Sequence, residues 1–380
     1  MIRIVLAVVT ALNATCWLVL GVLFAPVIPG GWKTVILLAL LLFVPLLVLL
    51  QGFGGRAYPS PATRLWIFRP FWYGQLFLPL LAGAGLLGMV AGLLFGVPLE
   101  TGRAFVTLVA VALALLSIVG FIGTRQLTVR LVEPRFSELP AELEGLRIVQ
   151  LSDMHVGPHT SRRHLARVVD AVRRAQPDLI VHTGDQVDDY ARDMEPFAVA
   201  FAELAAPLGS FAIAGNHDII AGWNDVRRAM EHMGITVLVN ESVPLERNGI
   251  RFRLAGTGDP AGAGWRDNGG ADAAPDVPRT LRDVQPGEFS IVLAHNPALW
   301  PELAARGAHL TLSGHTHHGQ FAIPALGWSV ASLFLEHAMG LHERNGSVLY
   351  ISPGTNYWGI PFRIGARPEV TVVVLRSDGS

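Results

Sequence analysis

The stretch SGHTHHGQ, residues 313–320, sets His315, His317 and His318 within four positions. On an extended segment, side chains two apart share a face, so His315 and His317 point one way and His318 the other. Asp153 and His155, in DMH, repeat that spacing. Imidazoles and carboxylates together suit divalent transition metals, whereas calcium takes oxygen ligands alone. Further metal-capable side chains follow apolar runs: Asp185 in GDQVD, Asn216 and His217 in GNHD, and His295 in AHNP. The candidate ligands Asp153, His155, Asp185, Asn216, His295, His315 and His317 are too many for one ion. They suit two ions that share a carboxylate, and Asp185, placed after a glycine, is the natural bridge. Two such ions can clamp a phosphoryl group and generate a hydroxide nucleophile near neutral pH.

The elements that must position these residues read as an α/β domain. Apolar runs at 146–153, 178–185, 210–218, 289–297 and 308–317 have strand character, as does the alternating 127–133. Helical spacing appears at 162–177, 197–205 and 297–306, and the Gly/Ala/Asp/Pro-rich 256–278 reads as a long loop. Strands alternating with helices predict a sheet covered on both faces. Ligands in such sheets bind beyond the carboxyl ends of the strands. Five strand ends carrying the candidate ligands would therefore meet in one place. The other histidines, His159, His164, His182, His232, His309, His337 and His342, read as loop or surface residues, and His318 stays open.

The first third of the chain has a different texture. Up to Arg125 the sole acidic residue is Glu100, against seven basic ones, and all thirteen histidines lie after it. Charge-free stretches at 4–28, 34–51, 71–97 and 104–123 each approach or exceed the ~20 residues that cross a bilayer. The expectation is four transmembrane helices over 1–125 and a catalytic domain over 126–380. A cleaved signal peptide would not be followed by three more such stretches. Arg3, Arg56, Arg64, Arg69, Arg125 and Arg130 would lie on one side, and Lys33 and Arg103 on the other. By the positive-inside rule both termini face the cytoplasm, which makes this a multi-pass protein of the inner cell membrane. The spans carry no internal charge, so they read as an anchor, and the small residues of 81–96, including Gly92 and Gly96, as helix-packing positions.

The motifs DMH (153–155), GDQVD (184–188), GNHD (215–218), AHNP with His295, and GHTH (314–317) together resemble the calcineurin-like metallophosphoesterases. The ending GHTHHGQ with PFRIGARPEVTVVVL (361–375) is similar to a membrane-associated branch that includes UDP-diacylglucosamine pyrophosphatases, although that branch usually has Gly at the place of His318. The resemblance implies a four-layer α/β/β/α sandwich. It implies one metal held by Asp153, His155, Asp185 and His317, and a second by Asp185, Asn216, His295 and His315. A metal-bridged hydroxide would attack phosphorus. His217 would stabilise the transition state or protonate the leaving oxygen, Asp218 would orient His217, and Arg363 would contact phosphate. Manganese, iron and zinc all fit such donors.

The function expected is a phosphodiesterase or pyrophosphatase acting on a membrane lipid or lipid-linked phosphoester, such as a UDP-acyl-sugar. A phosphomonoesterase, a cyclic-nucleotide phosphodiesterase or a non-turning-over membrane sensor are the alternatives. Nucleic-acid binding is disfavoured, because the back part has 29 acidic against 22 basic residues and no basic, aromatic-laced patch. Composition sets no oligomeric state.

Overall fold

The computed structural model describes residues 2–52, 59–202, 204–265 and 267–378. The chain divides into two compact units, Met1–Val119 and Gly120–Ser380.

The first unit is helical. Its helices run over Ile2–Phe24, Trp32–Gly52 and, through a π-helical turn at Arg64–Phe68, Pro61–Leu93; the helix Pro98–Gly123 begins in it. Among the described residues, three helices are long and apolar enough to cross a membrane: Ala7–Phe24, Pro61–Leu93 and Pro98–Gly123. Helix Trp32–Gly52 contributes a shorter apolar stretch, Trp32–Phe43. Arg56, used above for orientation, lies outside the described residues. A small interior of Cys16, Leu20, Leu23, Leu78, Ala82 and Val106 holds the unit together. Gly85, Gly88 and Gly92 are buried, and a side chain at Gly88 would collide with the Thr101 carbonyl and Gly102. Gly96 departs from the expected packing role, because it lies in a left-handed turn beyond the helix (φ 72°). Asn13 and Gln75 exchange amide hydrogen bonds of 2.8 and 3.2 Å across two apolar helices, a polar link of the kind that fixes helix register in lipid.

The second unit contains two six-stranded sheets. Its strands are β1 (Thr128–Val132), β2 (Arg147–Leu151), β3 (Leu179–His182), β4 (Ser210–Ala212), β5 (Thr236–Val237), β6 (Glu241–Arg247), β7 (Ile250–Gly256), β8 (Ser290–Leu293), β9 (Leu310–Ser313), β10 (Gly340–Arg344), β11 (Ser347–Ile351) and β12 (Glu369–Val374). The first sheet has the order β1-β12-β2-β3-β4-β5, and the second β10-β11-β9-β8-β7-β6. Strands β2 to β5 run parallel, and so do β7, β8, β9 and β11.

Alternation along the strands decides the layers. Ile148, Leu179 and Val181 join Leu254, Ile291, Leu293, Leu310 and Leu312 between the sheets. Their neighbours Val149, Leu151 and Ile180 face the other way, against helices Arg162–Ala175, Glu195–Phe201 and Asn216–His232. Val292, Leu349 and Ile351 face Leu303 and Trp300 of helix Trp300–Ala305. The layers are therefore α/β/β/α. The expected strands and helices occur among the described residues, and the described residues of 257–276 hold only turns and 3-10 segments. Strands β5, β6, β7, β10, β11 and β12 and helix Asn216–His232 were not among the expected elements. The hairpin β6–β7 turns at Asn248–Gly249, both at positive φ, which is the strongest short hairpin signal a sequence carries. Helix Asn216–His232 starts at the metal-capable Asn216 itself, and its apolar spacing of Ile219, Trp223, Val226 and Met230 was legible.

His164 and His182, expected on loops or the surface, are buried. His164 Nε2 meets the Thr355 carbonyl at 3.1 Å. His182 lies in β3 between Phe197 and Phe201, at ring distances of 5.8 and 6.3 Å. Burial brings its pKa down from 6.5 to about 4. The folded state thus refuses a proton that the unfolded chain accepts. Stability present at pH 7 is lost as pH falls from 6.5 towards 4, by on the order of 3 kcal/mol. Thermal unfolding of His182→Leu in detergent should weaken less over that window than the native chain; parallel curves would refute this.

Candidate metal centre

The predicted residues sit just past strand ends: Asp153 and His155 after β2, Asp185 after β3, Asn216 and His217 after β4, His295 after β8, and His315 and His317 after β9. Parallel running brings these ends to one edge of the sandwich. Left-handed backbone then turns the side chains inward. Asp153, His155, Asp185, His315 and His317 all have positive φ, between 39° and 71°. Non-glycine residues take that conformation rarely, and its clustering at one edge marks strain held for function. The loops lock one another: Asp153 N–H donates to the Gly184 carbonyl and His155 N–H to the Asp185 carbonyl, each at 3.0 Å. Glycine is required at 215, where a Cβ would overlap the Asp185 carboxylate and amide.

The donor atoms converge. His155 Nε2 lies 3.0 Å from His317 Nε2 and 3.5 Å from Asp185 Oδ2. Asp153 Oδ1 is 3.3 Å from His317 Nε2. On the other side of Asp185, His295 Nε2 is 3.3 Å from Asp185 Oδ2 and 3.2 Å from Asn216 Oδ1. His315 Nδ1 is 2.9 Å from the same Asn216 oxygen. Asp153, His155 and His317 form one possible metal-holding group, and Asp153, Asp185 and His295 another. All seven candidate ligands are thus brought together, with Asp185 shared between the two halves.

The donor set fits two divalent cations. Asp153 and Asp185 are both buried carboxylates, a costly arrangement without cations beside them. His295 Nδ1 donates to the Thr183 carbonyl at 2.7 Å, which aims Nε2 at Asp185 and Asn216. Asp185 outweighs burial and favours the protonated ring, and a metal would take the place of the Nε2 proton. Burial, with the His295 charge, brings His315 down to about 4, and burial with Arg363 pulls His317 well below its ordinary value. Both are therefore neutral at pH 7, as ligands must be. Burial pushes Asp185 up, but His295 and His217 outweigh it and hold the carboxyl ionised.

Two residues, Asp218 and Arg363, depart from their expected roles. Asp218 does not touch the His217 ring. Its carboxylate accepts from the backbone N–H groups of Gln186 (2.8 Å), Val187 (3.2 Å) and Gly215 (2.9 Å), so it ties the Asp185 loop to the start of helix Asn216–His232. Burial and the Asp185 charge raise its pKa to about 7. The His217 ring is instead set by Asp188, whose carbonyl accepts from Nδ1 at 2.6 Å. Asp188 Oδ1 also lies 3.4 Å from His155 Nδ1. Asp188 was missed as a site residue, and its signal was the second carboxylate of GDQVD.

Arg363, expected to contact phosphate, is buried inside the protein. It donates to the carbonyls of His317 (3.0 Å), Pro353 (2.6 Å), Ala366 (3.2 Å) and Asn356, and Nη2 lies 2.7 Å from His317 Nδ1. It braces a ligand loop rather than facing a substrate. Arg363→Met should lower stability by on the order of 3 kcal/mol, since several buried carbonyls lose their donor. Lysine should recover little, because a point charge cannot span the same carbonyls. Thermal unfolding of both variants in detergent checks this. His318, left open, is buried in a left-handed conformation, and its Nε2 reaches the Ile351 carbonyl at 3.3 Å.

Comparison with known proteins agrees with this geometry. The calcineurin-like phosphoesterase family model matches residues 146–319. An uncharacterized metallophosphoesterase of Aquifex aeolicus is 31% identical over 246 residues, which cover 64% of this chain and 89% of that protein. A "Transmembrane protein with metallophosphoesterase domain" of Danio rerio is 35% identical over 256 residues, 64% of this chain and 56% of its own length. The Bos taurus protein of the same name is 31% identical over 277 residues, 69% and 60%. The match thus spans less than two thirds of these vertebrate relatives. The chain belongs to the calcineurin-like phosphoesterases, a family of metal-dependent phosphoester hydrolases.

Proposed function

We propose that this chain is a membrane-anchored, dinuclear-metal phosphodiesterase or pyrophosphatase acting on a lipid-linked substrate such as a UDP-acyl-sugar. The observation that carries the hydrolase reading is the convergence of donor atoms from five strand ends beside His217. Asp153, His155, Asp185 and His317 would hold one ion, and Asp185, Asn216, His295 and His315 the other. Such ions, when bound, supply Lewis acidity and lower the pKa of water to near 7.

The remaining work falls to the protein. The His217 backbone N–H donates to Asp185 Oδ1 at 2.8 Å, which fixes the carboxylate that both ions would share. The His217 ring keeps its Nδ1 proton on the Asp188 carbonyl, so Nε2 is the atom that can deliver a proton to a leaving oxygen. Burial lowers the pKa of His217, but Asp185 and Asp188 outweigh it and favour the proton-bearing form.

Four spans, with helix Trp32–Gly52 as the second, and a cytoplasmic catalytic domain are part of this reading. The transmembrane-named relatives and the arginine bias support the anchor and its orientation. An anchored enzyme meets lipid-linked phosphoesters at high local concentration, which favours them over soluble ones.

The test is hydrolysis of bis(p-nitrophenyl) phosphate by the full chain in detergent, with manganese and with excess chelator. Turnover that chelator abolishes is expected. A folded, metal-loaded chain that turns over no phosphodiester would overturn the reading.

A further inference from the structure

We propose that residues 321–334, with Trp358 and Phe362, form an apolar lip that lies in the interfacial layer of a lipid bilayer and holds the metal centre at that surface. The inference rests on the membrane-anchored reading above and adds the surface that engages the lipid.

The sequence from Gly319 to Leu335 contains no Asp, Glu, Lys or Arg. Within it Leu326, Leu333 and Phe334 are 75, 63 and 81% exposed, and Ile323 is exposed too. A cluster of large apolar side chains facing outward marks an interaction surface. These side chains are held out by a built framework. Ala322–Ile323 pairs antiparallel with Trp328–Ser329, and Pro324–Leu326 forms the turn between them. Ser329 and Ser332 cap the short helix Val330–Leu333 reciprocally. The Phe321 ring packs on Trp328 at 5.9 Å and on Phe362 at 6.5 Å.

The lip adjoins the metal centre on both sides. It begins four residues past His317 in the chain. Gln320 clamps the Trp358 backbone, donating to its carbonyl at 3.0 Å and accepting from its N–H at 3.2 Å. The half-exposed Trp358 indole then lies 5.7 Å from the His217 ring.

Lipid is the occupant that the surroundings favour. In the same unit, Arg363 N–H donates to the Gly120 carbonyl at 3.0 Å, and a side chain at Gly120 would strike the Phe362 ring. Gly120 belongs to the last turn of an apolar helix long enough to cross a membrane. Phe121 and Ile122 of that turn are exposed too, and the Arg125 guanidinium lies 4.3 Å over the Phe121 ring. An arginine reaching back over an aromatic ring at a span end is how a chain meets the headgroup level.

The experiment is a depth measurement on the full chain reconstituted in phosphatidylcholine–phosphatidylglycerol vesicles. In a Cys16→Ser background, single cysteines replace Leu326, Phe334 or, as a control, the exposed Val199, and each carries an environment-sensitive NBD fluorophore. Spin-labelled lipids act as quenchers. The expected result is blue-shifted emission at 326 and 334, quenched severalfold more strongly than at 199. Water-like, unquenched emission at 326 and 334 would overturn the proposal. So would a blue shift without lipid quenching, the sign of a second protein copy covering the lip. Depth is read independently of turnover, so the same vesicles assayed with bis(p-nitrophenyl) phosphate would expose a failure of the hydrolase reading separately.

Discussion

Asp185→Asn should lower turnover of a phosphodiester by on the order of 10³-fold, because several kcal/mol of metal-supplied charge stabilisation depends on this carboxylate. Its Oδ2 lies 3.5 Å from His155 Nε2 and 3.3 Å from His295 Nε2, and its Oδ1 accepts from His217 N–H at 2.8 Å. Asp153 also groups with residues of both halves, and Asp185 is the carboxylate set between His155 and His295. Asparagine keeps the volume and one acceptor oxygen but removes the charge that both ions would share. Metal content should therefore fall together with rate, and plasma mass spectrometry of the purified chain reads it directly. Stability should fall in both conditions. With chelator present, the variant leaves the buried His295 and His217 without the carboxylate that balances them, so its unfolding temperature should lie below that of the native chain. With manganese present, the native chain gains binding free energy that the variant lacks, and the gap should widen. Two ions retained at native occupancy in Asp185→Asn would show that Asp185 is not the bridge.

The metal centre was legible because its signal is made of residue types at strand ends, and strand ends are visible as apolar runs that stop. What sequence left dark is what tertiary packing decides. Nothing in DMH or GHTH announces that Asp153, His155, His315 and His317 adopt left-handed backbone, since glycine, the usual marker, is absent from those positions. Asp188 holds the place expected of Asp218 for a related reason. Helix Asn216–His232 begins at Asn216, so Asp218 falls at the third helical position, where a carboxylate turns back to cap the N-terminal amides. From there it reaches the backbone of Gly215, Gln186 and Val187 and leaves the His217 ring to the Asp188 carbonyl. Arg363 looked like a phosphate ligand because guanidinium geometry suits phosphate. Its carbonyl cage draws on residues 317, 353, 356 and 366, which only the folded chain assembles. The long apolar helices of the first unit were legible by length and composition alone, whereas the Asn13–Gln75 amide pair between two of them depends on which helix faces meet.

His217→Asn separates the protein's part in the chemistry from that of the metals. Asparagine can keep an N–H directed at the Asp188 carbonyl, but it offers no proton at the Nε2 position. If His217 is the acid, the loss should depend on the leaving group. A diester that expels an alkoxide needs the proton, so its turnover should fall by about 10²–10⁴-fold. Bis(p-nitrophenyl) phosphate expels a stable phenolate and should lose far less. The pH profile supplies a second readout with a fixed sign. Asp185 and Asp188 hold the imidazole in its proton-bearing form against the pull of burial. Rate on the alkyl diester should then fall as pH rises through the His217 pKa in the native chain. That alkaline limb should disappear in His217→Asn, while metal content stays at two ions per chain. An equal loss on both substrates would assign His217 to electrostatic stabilisation of the transition state instead. Loss of bound metal in the variant would place His217 among the structural supports of Asp185, through the backbone N–H that now joins them.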